Sequence, residues 1–271
     1  SAPRPTEPVS KGGCLRSAPR RTARRNPCLN RTRESIQPLP VAQDSQTWLL
    51  LNSGPRPAAY NMAFDEAVLG FARALGRPVL RFYGWTEPSA SFGYSQKYAA
   101  IAALTLLRPL VRRPTGGGLV PHNADWTYSL IFPPDHDWCQ LRAKESYARV
   151  HRWLQHAFAR LNLETELAPV ACHEAPGQCF VGAEQSDLLW QGRKIAGAAQ
   201  RRNRLGLLIQ GSVQPPPVRL AKADWQCAMC DSATEQWQVR WQPFEPRTDL
   251  TDRIEELLQS KYSRPDYHQQ R

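Results

Sequence analysis

Residues 177–202 constrain the chain more than any other stretch. Leu188-Leu189-Trp190 is a short apolar run, Gln191-Gly192 is a turn, and a second run opens at Arg193 and carries Lys194. Two runs joined by a turn that ends in glycine read as an antiparallel hairpin. A chain built on such hairpins cannot follow a strict βαβ rhythm, because parallel neighbours need long crossovers. Gly197, Ala198 and Ala199 come next, and small side chains there leave room for a ligand or another backbone. Just before the hairpin, Cys179 sits on a loop between Gly177 and Gly182. Loop and hairpin together bring a thiol towards an ammonium group, a layout suited to acyl transfer.

The remaining pattern is mixed. Strands are expected at 48–51, 79–85, 89–92, 110–113, 126–132 and 207–209, where β-branched and aromatic residues concentrate. Asn61 is placed to cap a helix whose Phe64, Val68, Phe71 and Leu75 share one face, with Asp65 and Glu66 near its N-terminal end. A short helix is expected over 98–107, and the longest over 145–161, where Tyr147, Val150, Leu154, Phe158 and Leu161 recur at helical spacing. Pro215-Pro216-Pro217 ends the sheet pattern, and a last helix, 250–261, follows a Thr248/Asp249 cap. The fold class is therefore α+β, a mixed and largely antiparallel sheet with packed helices.

Charge separates the domain from what precedes it. Nine Arg and Lys against two Glu in residues 1–43 supply +7 of the net +11, so the remainder is only mildly basic. A Pro/Arg/Ser-rich lead of this kind cannot bury enough apolar surface to order itself. The expected organisation is a disordered lead over 1–43, one catalytic domain over 44–262, and a tail over 263–271. An Arg- and Ser-rich lead also resembles an organelle transit segment, although it lacks a clear amphipathic helix. No run approaches the ~18 apolar residues of a membrane span. Seven cysteines without framework spacing argue against a disulfide scaffold and for a reducing, cytoplasmic setting.

Three glycines, Gly116, Gly117 and Gly118, follow Arg112, Arg113 and Thr115 at the end of an expected strand, with His122 beyond them. Backbone without Cβ lets a ligand approach, and exposed N–H groups there can hold a carbonyl oxygen or a phosphate. The spacing is neither a Walker loop nor a dinucleotide fingerprint. Cys179 is preferred over Cys172 as the reactive thiol, since adjacent Cys172 and His173 point apart in extended chain. Cys227-Ala-Met-Cys230 is a lone C-x-x-C without the further ligands of a zinc site, so no metal is expected.

Several blocks in order carry a family resemblance: Tyr60-Asn-Met-Ala-Phe-Asp-Glu-Ala-Val-Leu69, Arg81-Phe-Tyr-Gly-Trp85, Phe92-Gly-Tyr-Ser-Gln96, Arg112-Arg-Pro-Thr-Gly-Gly-Gly118 with His122, Gly192-Arg-Lys-Ile-Ala-Gly-Ala-Ala-Gln-Arg201 and Gln210-Gly-Ser212. From about Trp48 to Lys261 the chain resembles the lipoate and biotin protein ligase superfamily, and within it the cysteine-dependent octanoyltransferases that are similar to lipoate–protein ligase A. The resemblance implies a fold like the class II aminoacyl-tRNA and biotin synthetase catalytic domain, with an acyl pocket along the glycine segment. It implies that Lys194 contacts the acyl carbonyl and that Cys179, followed by Phe180, is the nucleophile. Arg112, Arg113, Thr115, Gly116, Gly117, Gly118, His122, Gly197 and Ala198 are then the substrate-binding set. An end soon after the last helix, without the accessory domain many ligases carry, is the further expectation that favours the transferase branch. Two positions depart from the family pattern: Asn123 where an acid is common, and Gln210 where histidine is common.

The implied reaction passes octanoyl from acyl carrier protein to Cys179 and then to the lysine of a lipoyl domain, such as glycine cleavage H protein or a 2-oxoacid dehydrogenase E2 component. No cofactor enters it. The alternatives are an ATP-dependent lipoate ligase, an octanoyl amidotransferase between lipoyl-domain proteins, and a non-enzymatic nucleic-acid binder that uses the basic lead. Arg112, Arg113, Arg201 and Arg202 are expected to steer an acidic carrier.

Overall fold

The computed structural model describes residues 46–172 and 182–270; the expected lead and the loop thiol Cys179 lie outside them. Among the described residues the strands are β1 Thr47–Arg56, β2 Val79–Trp85, β3 Ser89–Phe92, β4 Leu110–Arg112, β5 Val120–His122, β6 Trp126–Phe132, β7 Glu166–Leu167, β8 Leu188–Trp190, β9 Arg193–Asn203, β10 Gly206–Val213 and β11 Arg240–Pro243. The helices are α1 Ala58–Leu75, α2 Tyr98–Ala102, α3 Asp137–Gln140, α4 Ala143–Ala159, α5 Lys222–Trp237, α6 Thr248–Leu257 and α7 Pro265–Gln269, with a π-helical turn, Leu258–Tyr262, after α6.

Eight strands form one sheet in the order β11-β1-β2-β6-β10-β9-β8-β7, and β4-β3-β5 form a second. Only β11–β1 and β1–β2 are parallel in the large sheet; every other neighbour pair is antiparallel. The expected mixed, largely antiparallel α+β class is what the chain adopts.

Period-two alternation sorts the central strands between two cores. Leu80, Phe82, Tyr128, Leu130, Leu207 and Ile209 pack with α4 and α5 on one face. Val79, Ile131 and Leu208 pack with α1 and α6 on the other. Both faces of β6 and β10 are covered, so every residue in each is buried. Arg81, Ser129 and Gln210, in phase with Val79, Ile131 and Leu208, therefore project polar atoms under α1. The small sheet has its own apolar patch of Ala90, Phe92, Ile101, Leu110 and Leu119, which leaves Ser91 on the opposite side.

Several local expectations are corrected. Asn61 is not the helix cap: α1 starts three residues earlier behind Pro57, whose fixed φ suits a helix start. Its amide instead donates to Arg56 O and Gly84 O at 3.2 and 2.9 Å. The helix expected over 98–107 ends at Ala102, and Thr105 Oγ1 accepts from Leu107 N–H in the turn beyond it. At 18 residues α1 is longer than α4 at 17. Sequence reading overlooked α5, although Trp225, Ala228, Met229, Ser232 and Ala233 are its buried stripe, because small residues weaken that stripe. The residues read as a tail contain α7, tied to the sheet by His268 Nδ1 accepting from Arg112 N–H at 3.0 Å.

Candidate active site

Lys194 reaches the site through a bulge. Leu189 stands opposite Lys194 but Leu188 stands opposite Ala196, so Ile195 is one residue too many for β8. In an unbroken strand Lys194 would share the face of Ala196 and Ala198, which pack towards the α4–α5 core. The extra residue reverses that phase. The lysine side chain accordingly runs beside Gly197, where an added Cβ would lie 2.8 Å from Lys194 Cε and 3.0 Å from Nζ. Gly197 stands opposite Ser212, and Ser212 opposite Thr127. The lysine thus shares the face that carries Thr127, Ser129 and Gln210.

Its ammonium ends 2.7 Å from Oδ2 of Asp187, whose side chain has no exposure. Tyr147 Oη donates to the other oxygen, Oδ1. Glu184 N–H donates to Oδ2 at 2.6 Å. Burial first, and Asp187 second, push the Tyr147 phenol well above its ordinary range, so it remains a donor. Behind it, His151 Nδ1 donates to Tyr147 O at 2.9 Å, and burial pushes this imidazole down to about 4. Tyr147, Glu184 and Ser186 also line a cavity of about 840 Å³, together with Lys144, Arg149 and Arg152.

The glycine segment is held from behind. Arg113 donates from Nε and Nη2 to Gly116 O at 3.0 and 2.7 Å, and from Nη2 to Gly118 O at 2.8 Å. Arg113 Nη1 donates to Ser91 Oγ at 3.2 Å, and Ser91 Oγ lies 2.8 Å from His122 Nε2. His122 Nδ1 lies 2.8 Å from Asp125 Oδ2, which also accepts from Thr127 and Ser212 hydroxyls at 3.1 and 2.7 Å. With Nδ1–H donating to the Asp125 carboxylate, Nε2 accepts from the Ser91 hydroxyl, so a continuous chain of hydrogen bonds runs from Asp125 to the loop. The His122 ring is stacked 3.8 Å from Trp85, which fixes its plane. Gly117, at φ 85°, occupies a conformation that favours glycine. A Cβ on Gly93 would come within 1.9 Å of Gly117 O, so that glycine is there for close approach.

Thr115 Oγ1 donates to Gln210 Oε1 at 2.7 Å, and Gln210 Nε2 donates to Asp65 Oδ2 at 2.8 Å. Asp65 pairs with Arg81 at 2.8 Å, both side chains with no exposure. The departures at Asn123 and Gln210 are thereby accounted for: Asp125 supplies the carboxylate beside His122, and Gln210 bridges Thr115 to Asp65.

The steering role expected of Arg112 and Arg113 is corrected. Arg112 is fully buried and donates to Tyr94 O, Gln96 O and His268 O, each at 2.7 Å. Such guanidinium groups shape backbone and present no charge to a partner. Arg201 and Arg202 differ in being half-buried and exposed, respectively: Arg202 donates to Cys139 O at 2.6 Å, and Arg201 pairs with Glu66 at 3.4 Å. Cys172 N–H and C=O pair with Ala183 at 2.7 Å on either side of the stretch that contains Cys179. Cys230 is buried on α5, with its thiol pushed up to about 12 by that burial, and Cys227 is disulfide-bonded. Among the described residues no cluster of three or more His, Cys, Asp or Glu could hold a metal, and no helix is long and apolar enough to cross a membrane. Sequence reasoning missed Asp187, Tyr147, Asp125 and Ser91. Only Asp125, three residues from His122, carried a local signal.

Residues 57–214, more than half of the chain, match the lipoyl protein ligase A/B catalytic domain. The chain belongs to that family. Octanoyltransferases named LipM from Halalkalibacterium halodurans and Staphylococcus aureus are each 34% identical to it, over 62% of this chain and 66% of their own length. The chain therefore spans just under two thirds of the length of these curated relatives. Among solved structures, a bi-partite lipoate protein ligase from Thermoplasma acidophilum superposes with a TM-score of 0.64 at 18% identity, covering 83% of this chain and 96% of that one. At that identity the likeness concerns the fold alone. The residues singled out here, Thr115 to Gly118, His122, Lys194, Gly197 and Ala198, all fall inside the lipoyl protein ligase A/B segment.

Proposed function

We propose that this member of the lipoyl protein ligase A/B family is an octanoyltransferase of protein lipoylation. It takes octanoyl from acyl carrier protein and delivers it to the lysine of a lipoyl-domain protein. The observation that carries this reading is the bulge that turns Lys194 onto the face of the glycine segment, within a chain 34% identical to LipM octanoyltransferases. The Cys179 thiolate attacks the thioester carbonyl, a new C–S bond forms, and the carrier leaves with its own sulfur and a proton. The acceptor lysine, having lost a proton, then attacks the enzyme thioester. The C–N bond of the amide forms as the C–S bond breaks, the nitrogen gives up a second proton to solvent, and Cys179 leaves as thiolate.

Two thioesters of similar energy are exchanged in the first step, and amide formation draws the second forward, so no nucleotide is consumed. Lys194 and backbone N–H groups of the glycine segment meet the developing oxyanion, each such donor being worth about 3 kcal/mol of barrier. Thr115, Gly197 and Ala198 line the acyl side. Arg112, Arg113 and His122 serve by holding the backbone that does so. With Arg112 and Arg113 buried, the acidic carrier meets Lys144 and Arg152 at the rim of the cavity beside Tyr147.

Intact-protein mass spectrometry after mixing the protein with octanoyl–acyl carrier protein, without ATP, tests the reading. A hydroxylamine-sensitive octanoyl adduct on the wild type, absent from Cys179→Ala, is the expected result. An adduct on neither protein, with AMP released from lipoate and ATP, would make it a ligase. An adduct formed only from an octanoylated lipoyl-domain protein would make it an amidotransferase.

A further inference from the structure

We propose that Asp187 and Tyr147 are positioning residues for Lys194, a role that rests on the transferase reading above. Four observations converge on the carboxylate. It is completely buried, it lies 2.7 Å from the ammonium, it accepts from the Tyr147 hydroxyl, and it accepts from Glu184 N–H at 2.6 Å. A lysine has a long flexible stem and a point charge, so nothing intrinsic fixes where its nitrogen ends. Here the bulge sets the face, Gly197 clears the path of the stem, and Asp187 sets the end point.

Asp187 is also anchored to the chain on both sides. Ala168 N–H donates to Asp187 O at 2.8 Å and Asp187 N–H donates to Glu184 O at 3.0 Å. Glu184 lies directly beyond the Cys172–Ala183 bridge, on the chain leading away from Cys179. One carboxylate thus fixes the ammonium and the stem of the segment that bears the thiol. Tyr147 ties the same carboxylate to α4, and its hydroxyl lies 3.4 Å from Ala198 N–H on β9. Displacing Asp187 would alter the distance between lysine and acyl carbonyl with no loss of a group that touches substrate.

The test joins a chemical and a kinetic readout on Asp187→Asn and Tyr147→Phe, each checked for cooperative unfolding. A brief pulse of acetic anhydride, read by peptide mass spectrometry, gives Lys194 acetylation relative to exposed Lys144. Expected is a severalfold rise in that ratio for Asp187→Asn and a smaller rise for Tyr147→Phe. In steady-state octanoyl transfer kcat should fall about 100-fold for Asp187→Asn, while KM for carrier and lipoyl domain stays within about threefold. Should Asp187→Asn not fold, Tyr147→Phe carries both readouts. An unchanged acetylation ratio in the folded variants overturns the proposal, and so does a raised ratio with kcat unchanged. A wild type that transfers no octanoyl from any donor would sink the functional reading, and the acetylation ratio would still decide whether the clamp exists.

Discussion

Arg81–Asp65 and Lys194–Asp187 are both buried ion pairs, 2.8 and 2.7 Å long, yet they are built for different ends. The Arg81 guanidinium is consumed by protein: Nε donates to Ser53, Nη1 to Asn61 O and Asp65, and Nη2 to Asn61 Oδ1. Its plane lies 4.1 Å over Phe64 and 4.2 Å over Tyr83. Neither partner has any exposure, and α1, β1 and β2 all converge on it. Lys194 keeps 7% exposure, sits on a bulged strand, and passes a glycine in place of an aromatic wall. A planar fork with many partners locks elements together. A point charge on a flexible stem, fixed at its tip, can be aimed at something else.

The sharpest way to break that contrast is to remove each cation. Arg81→Met takes the guanidinium from Asp65, Asn61 and Ser53 in a closed interior, leaving the Asp65 charge with only neutral donors such as Gln210 and Ser129, and should cost about 3–5 kcal/mol of unfolding free energy. That is a large share of the roughly 5–15 kcal/mol by which a domain is stable. Lys194→Met leaves the buried Asp187 with Tyr147 and Glu184 as donors and removes a cation that keeps 7% exposure, and should cost less, about 1–3 kcal/mol. Octanoyl transfer should nonetheless disappear in Lys194→Met. Urea unfolding and transfer assays on both variants decide it: equal stability losses would mean the two pairs are alike.

The surroundings of the pairs differ in titration as well. Behind Asp187 lies His151, fully buried and pushed down to about 4 by that burial. In the unfolded chain this imidazole takes up a proton near its ordinary value of about 6.5, while the folded one stays neutral down to about 4. The unfolded state therefore binds more protons in that window, and stability must fall as pH drops through it. The loss should approach about 3 kcal/mol between pH 7 and 4 relative to a His151→Leu variant. Urea unfolding of both proteins at several pH values checks it, and parallel pH curves would show His151 to be irrelevant.

How much of this could be read beforehand depends on the range over which each feature is determined. Strands 79–85, 89–92 and 126–132 follow from local alternation and appear with the expected bounds, and the hairpin turns at Gln191-Gly192 as its residues require. The glycine segment and Lys194 stood out because backbone freedom and a charge beside small residues are visible in one window. Asp187 was not, since an aspartate near a turn is ordinary until a tyrosine from α4 arrives over it. Nor was the face of Lys194, because the bulge is a property of two strands in register. Arg112 and Arg113 read as surface charges, and only the carbonyls of Tyr94, Gln96, Gly116, Gly118 and His268 make them internal struts.

Glycines sharpen the contrast between rigid and adjustable surroundings. Gly93→Ala would drive its methyl against the backbone oxygen of Gly117 at 1.9 Å, which cannot yield without moving the glycine segment. The expected cost is about 1–3 kcal/mol in thermal or urea unfolding. Gly197→Ala meets the tip of Lys194, at 2.8 and 3.0 Å, and Asp187 Oδ1 at 3.3 Å; the lysine tip can swing away and the carboxylate has to give by only a few tenths of an ångström. Stability should stay within about 0.5 kcal/mol, while transfer falls on the order of 100-fold because the ammonium is displaced. A Gly197→Ala protein with full activity would show that the lysine does not need its present path.

The smallest effect is expected at a serine that only links two groups held by other partners. Ser91 connects His122 Nε2 to Arg113, but Arg113 keeps its bonds to Gly116 O and Gly118 O, and His122 keeps Asp125 and the Trp85 ring. Ser91→Ala therefore removes one link from a structure that remains held at both ends. It should lower stability by about 1 kcal/mol, the net worth of a hydrogen bond plus one unsatisfied acceptor. Transfer should drop well under the loss seen for Gly197→Ala, because no group facing the acyl carbonyl moves. If Ser91→Ala instead abolishes transfer while folding normally, the Asp125–His122–Ser91 relay takes part in proton movement, and its resemblance to a strut beside the Lys194 clamp fails.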